Sequence, residues 1–402
     1  MFDPLPAPWL TIIGVGEDGH EGLCAASQEA LARAELVTGP ARHLELLLPL
    51  NCPTLVWPTP FSDGIELLEQ YRGKRVVMLA SGDPFWFGAG TTVTRRLDRS
   101  EWIAYPVPSA FALAAAELGW ALQETFCLGL HAAPLQRLRP YLTAGRHIIV
   151  LLRDGAASGE LARYLVELDF GRSSLHVMEA LGGPRRRVRC TPAERFNFDD
   201  VAHPVAMGIE IAGAGRAMPV SCGLPDDFFA SDGQITKQPI RALTLSSLSP
   251  RAGETLWDIG AGSGSIGIEW LLAHPANKAI AFERDPVRAA RARANARDLG
   301  VDRLELIEGQ APQCLPQGAP PAAVFIGGGL SQDLLDWLWH HLPSGTRLTA
   351  NAVTLESEAL LAQWHHETGG SLLRIELADA TPIGGRHGWR SRYPLVQWSV
   401  TR

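Results

Sequence analysis

The sequence predicts an α/β protein of two domains, and three observations support this. The chain has 402 residues, more than one hydrophobic core usually organises, so two domains of roughly 200 residues are expected. A buried strand followed by a glycine-rich loop and a helix occurs twice, near the N-terminus and again past the middle of the chain. Between them, Gly213–Pro225 is interrupted by Gly and Pro and has little periodicity, as linkers do. We therefore expect domains at 1–215 and 231–402, joined by a linker at 216–230.

Composition and charge disfavour several classes of protein. The net charge is −7 with no long run of one sign, so we expect no nucleic-acid partner, which would require a basic surface to neutralise phosphates. The six cysteines form no Cys-x-x-Cys pair, which predicts buried free thiols in a reducing compartment and no metal site. No apolar run reaches the roughly 18 residues that span a bilayer, and the N-terminus does not resemble a signal peptide. These observations predict a cytoplasmic protein without membrane contact.

In the first half of the chain, strands and helices alternate, which favours a mostly parallel sheet. The apolar run 9–13 predicts a buried strand that ends in a glycine-rich loop, and 27–36 has the apolar spacing of a helix. The other predicted elements are strands at 76–80, 102–107, 147–152, 175–178 and 205–211 and a helix at 110–118.

The second half repeats the alternation more clearly, again as expected for a parallel sheet. A strand at 255–259 leads through a glycine loop into a helix at 266–272. The elements predicted after it are strands at 278–283, 304–308, 322–326 and 347–351 and a helix at 286–299.

The loop of the second half has the residues of a nucleotide-type cofactor site. Asp258-x-Gly260-x-Gly262-x-Gly264 lets a ligand approach the backbone closely, because glycine has no side chain. Glu283 follows the loop by about 20 residues, where a carboxylate can accept hydrogen bonds from both hydroxyls of a ribose.

The choice of cofactor depends on Asp258. A carboxylate there repels a pyrophosphate and suits a ligand that carries an ammonium and a sulfonium, so S-adenosyl-L-methionine (SAM) is favoured over NAD. The alternative for single residues is structural: the glycines serve only the turn, and Asp258 or Glu283 caps a helix.

Five motifs follow one another along the second half: Thr236–Arg241, Trp257–Gly264, Glu308–Pro312, Phe325–Gly329 and Asn351–Glu356. Together they resemble the precorrin methyltransferases that methylate C15 and decarboxylate C12, which implies a Rossmann-like SAM methyltransferase domain. Gln310 stands where many relatives of this fold have an aspartate that faces the adenine. The residues that the resemblance implies at the cofactor are Thr236, Asp258, Gly260, Ala261, Gly262, Ser263, Gly264, Glu283, Gln310 and Ala311.

The first half carries another set of motifs: Gly14–Gly19, Leu79–Gly88 and Tyr105–Ala110. No acidic residue closes a second strand at ribose distance, so its glycine loop does not fit a dinucleotide site. The set resembles the tetrapyrrole methylase family, which implies two α/β subdomains that hold a folded SAM between them. Ser81–Pro84 taken alone also favours an ordinary β-turn. The residues implied at this cofactor site are Gly14, Gly16, Gly82, Asp83, Pro108, Ser109, Ala110 and Met207.

The sequence assigns no catalytic residue firmly. Relatives that methylate C5 often have Ser-x-His-Gly where this chain has Gly129–Ala132, so His131 is a candidate for substrate contact or proton transfer, and a histidine satisfied in the core is the alternative. A basic cluster either holds substrate carboxylates through paired hydrogen bonds or forms a solvated patch. Its members are Arg185, Arg186, Arg187 and Arg189.

The two resemblances cover essentially the whole chain and imply a single enzyme. They imply a homo-oligomer with one SAM site per domain that methylates precorrin-6Y (precorrin-6B) at C5 and C15 and decarboxylates the C12 acetate, giving precorrin-8 in cobalamin biosynthesis. The alternatives are an RNA methyltransferase, which the lack of a basic, aromatic-interleaved segment disfavours, and a regulator that binds SAM or tetrapyrrole without turnover. Whether the substrate carries cobalt stays open.

Overall fold

The computed structural model describes residues 8–402. Their contacts form two compact units. The first contains the described residues up to Ala133 together with Tyr141–Arg216, and the second contains Pro134–Pro140 together with Ala217–Arg402.

The first unit has ten strands and six α-helices among its described residues. The strands are Leu10–Val15 (β1), Leu36–Gly39 (β2), Thr54–Val56 (β3), Val76–Ser81 (β4), Trp102–Tyr105 (β5), Thr125–Gly129 (β6), His147–Leu151 (β7), Ser174–Glu179 (β8), Arg187–Pro192 (β9) and Val205–Glu210 (β10). The helices are Ala25–Ala32 (α1), Ala41–Leu46 (α2), Phe61–Glu69 (α3), Ala89–Thr94 (α4), Ala110–Leu118 (α5) and Ala156–Glu167 (α6).

These strands form two separate five-stranded sheets. The first has the order β3-β2-β4-β1-β5 and is parallel throughout, with apolar clusters on both faces, as expected where helices cover a sheet. The second has the order β6-β7-β10-β8-β9, in which only the β6–β7 pair is parallel. The prediction of a mostly parallel sheet is therefore wrong for this second sheet, because β8 and β9 form a hairpin and β10 returns between β7 and β8.

The second unit has nine strands and five α-helices among its described residues. The strands are Thr255–Ile259 (β11), Lys278–Glu283 (β12), Glu305–Glu308 (β13), Ala323–Ile326 (β14), Arg347–Ala352 (β15), Ser371–Ile375 (β16), Ala378–Ile383 (β17), Arg386–Ser391 (β18) and Leu395–Thr401 (β19). The helices are Gln238–Leu248 (α7), Ser265–Ala273 (α8), Pro286–Asp298 (α9), Gln332–His341 (α10) and Leu355–Thr368 (α11).

A seven-stranded sheet organises this second unit. Its order is β13-β12-β11-β14-β15-β19-β16. The strands from β13 to β15 are parallel, β19 is antiparallel to β15, and β16 is antiparallel to β19. One apolar cluster with Trp270 lies on one side and another with Trp398 lies on the other. The strand order reverses between β11 and β14, and the crevice at such a reversal is where open α/β sheets bind ligands.

Two details differ from the sequence-based expectations. Helix α1 ends at Ala32 rather than near residue 36, because the Glu35 N–H already donates to the Arg75 carbonyl and Leu36 begins β2. All six cysteines are free, as predicted, but three are exposed and three are partly buried, so the prediction that they are buried is wrong.

Among the described residues, we find no helix that meets the length and hydrophobicity needed to cross a membrane.

A buried ion pair anchors the segment that precedes α7. The Arg241 side chain is fully buried and donates to Glu269 Oε1 at 2.5 Å. Glu269 also accepts from the backbone N–H groups of Gly223 and Leu224 at 2.6 and 2.9 Å. Glu269 thus pairs with a buried guanidinium, which also lies 3.1 Å from the partly exposed Asp226 carboxylate, and it fixes the chain that leads into the second unit.

We expect Glu269→Gln to lower the free energy of unfolding of the second unit by up to about 3–5 kcal/mol, because it removes the buried ion-pair partner of Arg241 and leaves the partly exposed Asp226 to balance the charge. Urea unfolding of the full chain, followed through the transition of the second unit, measures this effect. The matched control is Glu308→Gln, which removes the exposed partner of Arg293 and should cost less than about 1 kcal/mol. Equal losses in the two variants would contradict the anchoring role.

Candidate functional site

The second unit has a cavity of about 780 Å³ at the carboxyl ends of its parallel strands. It is lined by the loops after β11, β12, β13, β14 and β15 and by residues ahead of α7. The sequence-predicted residues in its lining are Thr236, Gly260, Ala261, Gly262, Ser263, Glu283, Gln310 and Ala311.

The glycine loop owes its shape to positive φ angles. Gly260, Gly262 and Gly264 have φ of 72°, 57° and 76°, a region that residues with a Cβ rarely adopt. A Cβ on Gly260 would lie 2.6 Å from Gly328 Cα, whereas a Cβ on Gly262 would meet only the Gln234 carbonyl oxygen, at 3.8 Å. Gly260 therefore permits two loops to touch, and Gly262 leaves open space on the cavity side.

Glu283 presents its carboxylate to this cavity. Its Oε2 accepts from Gly262 N at 2.8 Å, and its Oε1 accepts from Asp285 N at 3.0 Å. Each carboxylate oxygen has a second acceptor position beyond these bonds. The side chain is thus held in place and still able to accept hydrogen bonds from a pair of hydroxyls.

Asp258 and Gly264 do not line the cavity. Gly264 packs against Ala292 of α9 as it caps α8. The Asp258 side chain is buried below the loop, where Oδ2 accepts from Gly267 N at 2.9 Å and Oδ1 has no partner among the described residues. Burial raises the pKa of Asp258 to about 7, the Gly267 N–H opposes this, and the negative charge of Glu283 adds to it.

The first unit has a cavity of about 370 Å³ beside the loops that follow β1, β4 and β5. The sequence-predicted residues in its lining are Gly16, Gly82, Asp83, Pro108, Ser109, Ala110 and His131. Gly14 and Met207 are not in the lining. A Cβ on Gly14 would lie 1.9 Å from the Gly82 carbonyl oxygen, so Gly14 lets the loop after β4 pack against the end of β1. Met207 is fully buried in β10.

Two of these polar residues have local partners. Asp83 Oδ1 accepts from Phe85 N at 2.8 Å, as in the turn expected for Ser-Gly-Asp-Pro, and Ser109 Oγ caps α5 by accepting from Ala112 N at 3.1 Å. His131 is exposed and lies in the lining, which places it beside the cavity rather than in a core. Its role stays a prediction.

A polar network in this cavity was missed by the sequence analysis. Glu17 is buried and pairs with Arg42 and, at 2.9 Å, with Arg185. His43 Nε2 lies 2.8 Å from the Arg42 guanidinium and 2.9 Å from Ser81 Oγ. Burial, and then the positive charge of Arg42, lower the pKa of His43 to about 4, so the imidazole is neutral near pH 7.

The basic cluster is paired with carboxylates of the same unit. Arg186 binds Glu117, and both Arg187 and Arg189 bind the buried Glu179 and the exposed Asp200. These arginines are thus neutralised by their neighbours, which favours a structural role over a free anion-binding patch. Within residues 8–402, no group of three or more His, Cys, Asp or Glu side chains is placed to hold a metal ion.

Family models match both halves of the chain. Residues 9–196 match the tetrapyrrole (corrin/porphyrin) methylases, and residues 227–402 match the precorrin methyltransferase domain. The fold and these matches define the class as a methyltransferase with two methylase domains, which implies SAM as the methyl donor. The predicted α/β fold class is confirmed.

Curated relatives match nearly the whole chain. A precorrin-6Y C(5,15)-methyltransferase [decarboxylating] from Sinorhizobium sp is 47% identical over 98% of this chain and 97% of that protein. The protein of that name from Mycobacterium tuberculosis (strain CDC 1551 / Oshkosh) is 38% identical over 98% of this chain and 100% of its own length. A cobalt-precorrin-6B C(15)-methyltransferase (decarboxylating) from Salmonella typhimurium is 31% identical over 40% of this chain and 85% of that protein. The chain belongs to the precorrin-6Y C5,15-methyltransferase (decarboxylating) family, as predicted.

The buried Asp258 should make stability depend on pH. Its folded pKa of about 7 exceeds the ordinary value near 3.9 in an unfolded chain. Its contribution to the free energy of unfolding is therefore full below about pH 4 and is lost as the pH rises to about 7. The variant Asp258→Asn does not titrate at this position. We therefore expect the difference in free energy of unfolding between the variant and the wild type to shift in favour of the variant by up to about 4 kcal/mol from low pH to pH 8.

Urea unfolding at pH 5 and pH 8 tests this, with the surface variant Asp298→Asn as the control. That control should change the free energy of unfolding by less than about 0.5 kcal/mol at either pH. A gain for Asp258→Asn of the same size at both pH values would contradict the raised pKa.

Proposed function

We propose that this protein binds SAM at two sites, one in each unit, and that the units divide the family's reaction between them. The first unit methylates precorrin-6Y at C5, and the second methylates C15 and decarboxylates the C12 acetate, within cobalamin biosynthesis. The observation that carries the proposal is that each half matches a different methylase model and has its own cavity at the carboxyl ends of parallel strands. The domain bounds 1–215 and 231–402, the cytoplasmic location and the homo-oligomer stay predictions.

The cavity of the second unit suits the ribose and adenine of SAM. The Glu283 carboxylate has acceptor positions left for the two ribose hydroxyls, and Gln310 offers an amide where many relatives carry an aspartate. The open space beside Gly262 lets the ligand lie against the loop backbone. Asp258 supports this site from below, since its carboxylate bonds to α8 rather than facing the cavity.

In the first unit, the cofactor would lie against Gly82, Asp83 and Pro108–Ala110. Gly82 has φ of 54°, and its N–H donates to the Val15 carbonyl while its carbonyl accepts from Val107 N. These bonds hold three loops as one rigid surface. Trp86, Phe87 and Phe111 also line this cavity and contact one another edge-on or at a tilt, which provides apolar surface for a flat macrocycle.

Methyl transfer requires little prior activation of the substrate by acid or base groups. The meso carbons of a reduced tetrapyrrole are enamine-like and nucleophilic, and bound SAM supplies an electrophilic methyl group. The protein's contribution is then to hold the carbon in line, exclude water and accept a proton afterwards. The mostly apolar lining of the first cavity supports water exclusion, and the neutral His43 keeps the Arg42 guanidinium and the Ser81 hydroxyl in place.

We expect Gly262→Arg to abolish SAM binding in the second unit alone, because a long side chain at this positive φ fills the open space beside the loop. Isothermal titration with S-adenosylhomocysteine should give two sites in the wild-type chain and one in the variant. The control is Gly253→Arg, a glycine with φ of 83° and no neighbour within 4 Å of its added Cβ, outside the cavity lining. Two sites in Gly262→Arg would refute the assignment.

The complementary change in the first unit is Gly82→Arg. Its Cβ would lie 3.2 Å from the Pro108 carbonyl oxygen, so the side chain is forced against the loop that would hold the cofactor. We expect one remaining S-adenosylhomocysteine site and loss of C5 methylation, seen by mass spectrometry of the products from precorrin-6Y. Gly73→Arg, at φ of 90° with no neighbour within 4 Å, is the control. A C5-methylated product from Gly82→Arg would assign this step to the other unit.

A further inference from the structure

A buried polar network lies beside the cavity of the second unit and has no role in the functions considered above. Asn351 on β15 and Gln397 on β19 are direct partners in the antiparallel register. Both contact Thr244 of α7, through Asn351 Nδ2 at 2.9 Å and Gln397 Nε2 at 3.0 Å. Thr244 is fully buried and Gln397 is 2% exposed, so these groups depend on one another for hydrogen bonds.

The donors and acceptors of Thr244 fix the orientation of both amides. Its single hydroxyl proton goes to the Ile240 carbonyl oxygen, at 2.8 Å. The hydroxyl oxygen can then only accept, and its two acceptor positions face the nitrogens of Asn351 and Gln397. A flipped amide on either residue would place oxygen against oxygen.

Both side-chain N–H groups of Gln397 are used by its neighbours. Its Nε2 donates to Thr244 Oγ1 and also to Asn351 Oδ1, at 2.9 Å, while its Oε1 accepts from Ser247 Oγ, at 2.9 Å. Asn351 keeps one N–H and one acceptor position that the network does not use. Asn351 is also the network member that lines the cavity. The network therefore positions one amide at the cavity with a free donor.

The position of Asn351 in the sheet points to the substrate rather than to the cofactor. It lies near the end of β15, and β14 separates this strand from β11, whose loop carries Gly260 and Gly262. Four cationic residues share the same lining, namely Lys237, Arg284, Arg288 and Arg392. Arg288 is paired with Asp232 and Arg392 with Asp379. The surroundings suit an anionic substrate, and Asn351 adds an uncharged donor to them.

We propose that Asn351 is a substrate-positioning residue whose free N–H binds the acetate carboxylate that leaves as CO2. This inference rests on the proposed function of the second unit. In that step the bond between the acetate CH2 and its carboxylate breaks, its electron pair passes into the conjugated macrocycle, one proton from water is taken up, and a methyl group remains at C12. Thr244 and Gln397 hold the amide so that the carboxylate is kept in one orientation.

A neutral donor fits this step better than a cation. The negative charge leaves the carboxylate as the C–C bond breaks, so an ion pair to Lys or Arg would stabilise the reactant more than the transition state and slow the reaction. An amide N–H also orients the carboxylate, but compared with Lys or Arg it stabilises the reactant less relative to the transition state. The acid groups of the substrate that are retained have no such restriction and can pair with cations such as Lys237.

The test uses the full-length chain with SAM and purified precorrin-6Y. Asn351→Asp keeps the size of the side chain but replaces the donor with an acceptor that repels a carboxylate. We expect CO2 release at saturating substrate to slow by at least about tenfold. C5 methylation, and the number and affinity of S-adenosylhomocysteine sites, should stay as in the wild type. The matched control is Asn277→Asp, a buried asparagine of the same unit whose amide bonds to Trp270 and Gly253 away from the cavity.

Three outcomes would overturn the inference. Unchanged CO2 release would show that the amide does not act in the step. A parallel fall in S-adenosylhomocysteine affinity at the second site would place the amide on the cofactor. An equal slowing in Asn277→Asp would make the effect one of stability. Failure of the proposed function is separate from all three, because the wild-type chain itself would then release no CO2.

Discussion

The close approach of neighbouring loops at the carboxyl edge of a parallel sheet determines both cavities. In the first unit, a Cβ on Gly14 would lie 1.9 Å from the Gly82 carbonyl oxygen, and in the second a Cβ on Gly260 would lie 2.6 Å from Gly328 Cα. No side chain fits between such backbones, so glycine is required at each contact. These backbone contacts fix the segments that carry the polar groups of each site, although the two units fold differently.

The sequence predicted the loops well because their chemistry is local. Glycine spacing and the carboxylate at the end of the next strand place Gly260, Gly262 and Glu283 without any knowledge of packing, and all three line the cavity. Gly14 and Asp258 show the limit of such reasoning. A glycine that admits another loop and one that admits a ligand have the same sequence pattern, and a carboxylate at a strand end does not reveal which way it points.

The polar networks could not be predicted from the sequence, for a different reason. Glu17 meets Arg42 and Arg185, and Thr244 meets Asn351 and Gln397, across separations of 25 to 168 residues. Only the strand order brings these groups together, and in the second sheet of the first unit the expected parallel pattern was itself wrong. One signal was present: Arg42 and His43 lie in the first turn of α2, shortly after β2 ends, where residues of a parallel sheet reach its carboxyl edge.

Asp258 still bears on the choice between SAM and a dinucleotide, but by a different route from the one the sequence suggested. Phosphate groups bind at helix N-termini because the first N–H groups of a helix have no partner within it. In α8 the Gly267 N–H, in the first turn, is taken by the Asp258 carboxylate. A pyrophosphate would find that donor occupied and a carboxyl group close below it. The carboxylate that faces the cavity is that of Glu283, which suits a ribose. The site thus disfavours phosphate by using up a backbone donor and needs no direct contact between Asp258 and the cofactor.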